Sequence, residues 1–264
     1  MSRLCTHSGA RSRASFVWRK SVVQPINTVG EGRAANPLAD NAVPFQPRPL
    51  TLAEEKRLDL YYYHSPKNGE RLVSVVEPCR LAIALDLEFD VDVTSYVERP
   101  RALLVDEREV ELCFWIRRRS AAETFVVFRR QAKPSVPALR AEEKLCSKLL
   151  DAANAAGLSL TIRKPASILA SRIANATRLE LLPYVQAAAR LEGIDVFLSA
   201  ILAHMGSNPK SSFQTIERSL CGPFDWRDVR SATCSLIHRG VLGIDFSEKL
   251  KTSSAVYLKD DRHA

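Results

Sequence analysis

No apolar run in the 264 residues approaches the roughly 20 that a membrane-spanning helix requires. The reading is a soluble, cytoplasmic protein with no membrane partner. No pair among Cys5, Cys79, Cys113, Cys146, Cys221 and Cys234 has CxxC spacing, and no histidine stands at ligand spacing beside them. That pattern argues against a structural zinc site and suits core packing in a reducing compartment. Acids are missing from the first thirty positions, which are rich in Arg and Ser. Transit peptides share that composition, but a disordered bacterial leader or a start placed too far upstream accounts for it more simply. A phosphate-touching arm is a third reading.

What is present is hydrophobic content of 46% and a net charge of +8, unevenly placed. Residues 1–50 hold seven Lys and Arg against Glu31 and Asp40, a surplus of five. Residues 112–133 hold Arg117, Arg118, Arg119, Arg129, Arg130 and Lys133 against Glu123, another surplus of five. The remaining body is close to neutral. One basic tail and one basic hairpin suit an anionic polymer, and double-stranded DNA is the expected partner.

Residues 1–50 lack hydrophobic periodicity and carry Pro25, Pro37, Pro44, Pro47 and Pro49, so they read as a disordered leader. Thr51 with Glu54 forms a capping-box signal for a short helix. Tyr61–Ser65 reads as extended, residues 67–70 as a hairpin turn, and Arg71–Ser74 as the returning strand. Ser74 is then placed to cap a helix running to Glu88. Arg101–Val105, Glu109–Arg117 and Thr124–Phe128 read as three strands. A helix from Ala138 to Ala156, stopped by Gly157, and a strand Leu158–Ile162 complete an αβββαβ order. That is the minimal arrangement of the PD-(D/E)xK nuclease fold, an α/β architecture assigned here to residues 51–165.

Residues 166–264 read as a helical linker and a mainly α winged-helix domain. Asp195–Met205, Phe213–Leu220 and Trp226–Arg239 are its helices, the last with Asp225 as cap and Gly240 as stop. Val241–Phe246 and Ala255–Leu258 alternate as two strands. Trp226–Arg239 takes the recognition-helix position, from which Arg227 and Arg230 reach DNA.

The ordered phrases Tyr63-His-Ser-Pro-Lys-Asn-Gly69, Glu77, Leu87-Glu-Phe-Asp90 with Val93, Val97-Glu-Arg-Pro100 and Gln131-Ala-Lys133 resemble the TnsA family. These are the endonuclease subunits of heteromeric transposases. The likeness covers about residues 60–260, with Arg99 replacing the glutamine of the family's EQP phrase. It implies Mg²⁺-dependent nicking of transposon 5′ ends beside a DDE transposase subunit and an AAA+ ATPase regulator. It further implies Glu77, Gln131 and Lys133 as catalytic residues.

The family's second metal-binding acid is expected, counting back from the QxK phrase, at Phe114 or Trp115, and neither side chain binds a cation. Glu111 is the nearest candidate to join Glu77 as a metal ligand, although period-2 alternation would turn it to the opposite face from Phe114. If Arg129 rather than Lys133 stands at the base position, the site is further degraded, because guanidinium does not release its proton near neutral pH.

Each residue also has a structural reading. Glu77 suits a helix N-terminus, Lys133 a blunted strand end, and the hairpin arginines a solvated tip. His64, His204 and His238 lack partner spacing and read as structural or surface residues. The expected function is a TnsA-like transposition protein that binds DNA and partner subunits with its cleavage activity lost. An active Mg²⁺-dependent endonuclease and a winged-helix regulator without a transposon role are the alternatives.

Overall fold

The computed structural model describes residues 43–130 and 135–259; residues 1–42 of the leader, Gln131 and Lys133 lie outside them. Residues 43–50, read as disordered, are instead part of the fold, because Phe45 packs on Trp115 and Phe125 and Arg48 bonds to Arg99. It begins with the short helix α1 (Leu52–Glu55), where Thr51 and Glu54 make the reciprocal capping box expected from the sequence. Strands β1 (Leu60–Ser65) and β2 (Arg71–Val76) pair antiparallel across a 3-10 turn at Pro66–Asn68. Gly69 closes that turn at φ 64°, a left-handed conformation that glycine adopts without strain.

Ser74 does not cap the following helix. Its pairing with Tyr62 keeps it in β2, which continues to Val76. Helix α2 (Pro78–Phe89) starts after Glu77, because Pro78 is preset for the first helical position. Residues 83–85 and 87–89 of α2 are all buried, so this helix is central to the fold.

The main sheet has four strands in the order β3 (Val93–Glu98), β6 (Phe114–Arg118), β7 (Glu123–Phe128) and β8 (Leu160–Arg163). The first two pairings are antiparallel and β7–β8 is parallel. Helix α3 (Val136–Ala155) supplies the crossover that a parallel pair needs.

The sequence reading misplaced the first sheet strand. Arg101–Val105 lies in a separate hairpin of β4 (Ala102–Val105) and β5 (Arg108–Glu111) inserted between β3 and β6. Glu109–Arg117 is therefore two strands broken at Leu112–Cys113. Alternation across that break has no meaning, so the expectation that Glu111 and Phe114 face opposite ways does not apply. Val97 and Glu98, the first two residues of the phrase Val97–Pro100, are the end of β3, with Glu98 opposite Phe114.

Helices α4 (Pro165–Ala170) and α5 (Arg172–Ala188) lead to α6 (Ile194–Ser207), β9 (Lys210–Ser212), α7 (Phe213–Leu220), α8 (Trp226–His238), β10 (Leu242–Ile244) and β11 (Ala255–Leu258). Strand β11 lies between β10 and β9 in an antiparallel three-stranded sheet. The whole is a mixed α/β protein. Among the described residues no helix is long and apolar enough to cross a membrane.

One hydrophobic cluster passes through both halves. It joins Tyr63, Ile83, Phe89 and Phe114 to Leu181, Ile201, Val229 and Leu236. A second, smaller cluster around Trp115, Leu112, Phe125 and Leu149 lies on the side of the main sheet that α3 covers.

Candidate functional site

Glu77 stands between β2 and α2 with φ 80°, a strained conformation for a residue with a side chain. Its carboxylate is 15% exposed, pairs with the Arg130 guanidinium, and lies 3.7 Å from Arg57 Nη2. Arg57 is also held by Asp59 at 2.8 Å through two nitrogens. Glu111 pairs with Arg80 at 2.5 Å. Arg80 in turn feels the charges of Glu111 and Glu77 and faces Cys113, while its Nε is buried without a partner. Each of the two expected metal carboxylates is therefore engaged by an arginine.

The strand position beside this group is Cys113, not Phe114. Phe114 packs edge-on against Tyr96 in the core, with ring centroids 6.3 Å apart. Trp115 lies in the second cluster and donates its indole N–H to Glu123 at 3.0 Å. Cys113 lies at the strand break, receives the Phe128 N–H on its sulfur at 3.2 Å, and has its thiol pKa raised by burial. A neutral buried thiol is no oxygen donor for Mg²⁺, which demands a near-octahedral set of hard ligands. Among the described residues no three His, Cys, Asp or Glu side chains converge as a metal-holding group. The donors present at this position do not fit the ion that the family resemblance implies.

The basic residues expected to meet DNA are mostly answered from within. Arg117 pairs with Glu123 at 3.1 Å and lies over the Trp115 ring. Arg118 bridges Asp90 and Asp92 at 3.1 and 2.9 Å. Arg129 pairs with Glu142 at 3.2 Å. Arg119 is exposed and has no carboxylate partner among the described residues. The surplus of charge seen along the sequence thus dissolves once carboxylates distant in the chain are brought beside it.

Helix α8 is likewise less available than its position suggested. Ser231 through Ile237 are all buried, since α5, α6 and α7 enclose it. Arg230 is bound to Glu217 at 2.6 and 3.0 Å. Arg227 remains exposed and rests over Trp226, 3.5 Å from Asp225. Only the first turn of α8 could approach a duplex, so it cannot lie along a groove as a recognition helix does.

The most developed polar cluster is one the sequence reading left unassigned. Glu88 is fully buried in α2 and accepts hydrogen bonds from Ser65 Oγ at 2.5 Å, Tyr96 Oη at 2.5 Å, the Lys67 N–H at 3.1 Å and His238 Nε2 at 2.9 Å. Burial opposes ionisation of this carboxyl, but the bonds from His238, Ser65 and Tyr96 outweigh it and hold the pKa below its usual range. Tyr63 and Tyr96 share a hydroxyl contact of 2.7 Å beside it.

Lys67 reaches the end of α2, donating to the Leu87 and Asp90 carbonyls at 2.9 and 2.5 Å. Burial pushes its pKa down to about 8. Asn68 Oδ1 accepts the Tyr96 N–H at 3.1 Å, and Arg71 clamps Glu98 through both guanidinium nitrogens at 3.0 and 2.8 Å. The phrases Tyr63–Gly69, Leu87–Asp90 and Val97–Pro100 are therefore one physical unit. They fix the β1–β2 hairpin to α2 and β3, and through His238 to the C-terminal half. The available signal was Glu88 itself, an acid amid the apolar residues of α2.

The chain matches no protein-family model, and no curated protein matches it.

Proposed function

We propose that this chain is a TnsA-like transposition protein in which a PD-(D/E)xK nuclease fold and a winged helix are retained for binding DNA and partner subunits, without cleavage. The order α2, β3, β6, β7, α3, β8 supports the first fold, and α6, β9, α7, α8, β10, β11 the second. The observation that carries the loss of chemistry is the pairing of Glu77 with Arg130 and Arg57, with Cys113, at the break between β5 and β6, as the neighbouring residue. A guanidinium stays protonated near neutral pH. It therefore satisfies the carboxylate with a fixed positive charge and competes with any divalent ion for it.

The partners implied are duplex DNA, a DDE transposase subunit and an AAA+ ATPase regulator. The test is incubation of the full chain with supercoiled plasmid and Mg²⁺ or Mn²⁺. The expected result is intact plasmid. Nicking that disappears in Glu77→Ala and Lys133→Ala would establish the active endonuclease instead. Absence of both nicking and duplex binding would favour a regulator with no transposon role.

A further inference from the structure

The paired hairpin arginines and the enclosed helix α8 leave open where this protein meets a polyanion. The outer face of the β10–β11–β9 sheet has the chemistry. Tyr257 in β11 stands directly between Lys210 of β9 and Gly243 of β10. Val241 and Lys259 pair one step further along, joined by the Lys259 N–H to the Val241 carbonyl at 3.1 Å. Strand alternation puts Lys210, Tyr257, Lys259 and Val241 on one side, and all four are exposed. Leu242, Ile244 and Val256 fill the opposite side, in the core.

Gly243 decides how the aromatic ring lies. A Cβ at this position would collide with Tyr257 Cε2, Cζ and Oη. The ring therefore crosses the glycine backbone, burying Gly243, while Tyr257 itself stays 39% exposed. Neighbouring strands lie about 5 Å apart and alternate residues about 7 Å apart along a strand. Lys210 and Lys259 thus flank the ring on two sides. Lys249 and Lys251 lie on the loop from β10 to β11, against Glu248 there and Asp245 on the face. Asp245 already accepts the Ser247 N–H at 2.7 Å.

We propose that this sheet face binds single-stranded nucleic acid, with a base stacked on Tyr257 and the flanking phosphates engaged by Lys210 and Lys259. Stacking tolerates any base because every base has a π-face, and lysines follow the backbone whatever the sequence. The proposal rests on the nucleic-acid part of the function proposed above, and it places the contact on a surface independent of Glu77 and the hairpin.

The experiment measures binding of the full chain to a fluorescent oligothymidine of about 20 nucleotides and to a duplex of equal length, by anisotropy at two salt concentrations. Tyr257→Leu, which keeps Gly243 covered, should weaken single-strand binding about tenfold, and Tyr257→Phe should change it less than about twofold. The Lys210→Gln, Lys259→Gln pair should lower the salt slope by about 1.4. Circular dichroism melting confirms that each variant folds. Failure to bind the oligonucleotide, or equal binding by Tyr257→Leu and the lysine pair, overturns the proposal. Duplex binding without single-strand binding overturns it while leaving the transposition reading in place. Single-strand binding that responds to Tyr257 without any duplex binding does the reverse.

Discussion

Replacing Glu88 with alanine removes the acceptor on which both halves of the chain converge. Four donors point at that carboxylate, and they do not lose equally. Tyr96 Oη can still donate to Ser65 Oγ at 3.2 Å and keeps its contact with Tyr63. The Ser65 O–H, the Lys67 N–H and His238 Nε2 have no comparable substitute among the described residues. Each orphaned buried donor costs about 1–3 kcal/mol. A loss of about 4 kcal/mol is therefore expected for Glu88→Ala.

Glu88→Gln keeps the size and one acceptor oxygen, and should lose about half as much. Urea unfolding followed by circular dichroism and tryptophan fluorescence measures both, with Trp115 and Trp226 reporting on the two halves. In a double-mutant cycle, Glu88 and His238 should couple by more than about 1.5 kcal/mol. Because the Glu88 pKa is depressed on folding, its contribution is present above the ordinary carboxylate range. It is lost as pH falls through the folded value, so wild type and Glu88→Gln should converge in acid. A Glu88→Ala loss below about 1 kcal/mol, or additive behaviour with His238→Ala, would refute the idea that this carboxylate joins the halves.

Lys67 gives a dependence of the same sign in a more alkaline window. Its pKa falls from 10.5 to about 8 on folding, so the unfolded chain holds more protons between those values and stability rises with pH there. Wild type should gain about 3 kcal/mol over Lys67→Met across that window, and parallel pH profiles in chemical denaturation would disprove the burial argument. Gly240 ends α8 at φ 79° with Val91 where a Cβ would lie. Gly240→Ala should therefore cost more than about 1 kcal/mol by combining left-handed strain with overpacking, and an unchanged melting temperature would contradict it.

Local grammar was readable where it was local. The capping box at Thr51, the Asp225 cap, the Gly240 stop and helix α7 need only neighbouring residues, and the structure has them at the expected places. What could not be read was set by distant partners. Strand β3 ends inside the phrase Val97–Pro100, and β9 is only Lys210–Ser212, too short for alternation to register. The β4–β5 hairpin reads as sheet because its strands alternate like core strands; only pairing shows that they bond to each other.

The same limit explains the candidate site. A run of charges in sequence reports composition, whereas availability depends on what the fold sets opposite. Arg118 looked like part of a polyanion-binding tip until Asp90 and Asp92, 28 and 26 residues upstream, came to it. Glu77 looked like a metal ligand until Arg130, 53 residues downstream, took its carboxylate. Where metal-dependent hydrolysis would need acids converging on a cation, the described residues around Glu77 and Glu111 set acid against guanidinium. That arrangement stabilises the fold without any ion. Residues bound to each other are also poor candidates for binding anything else. Surfaces whose charges have no carboxylate partner among the described residues, such as Lys210 and Lys259 around Tyr257, are where a polyanion gains most.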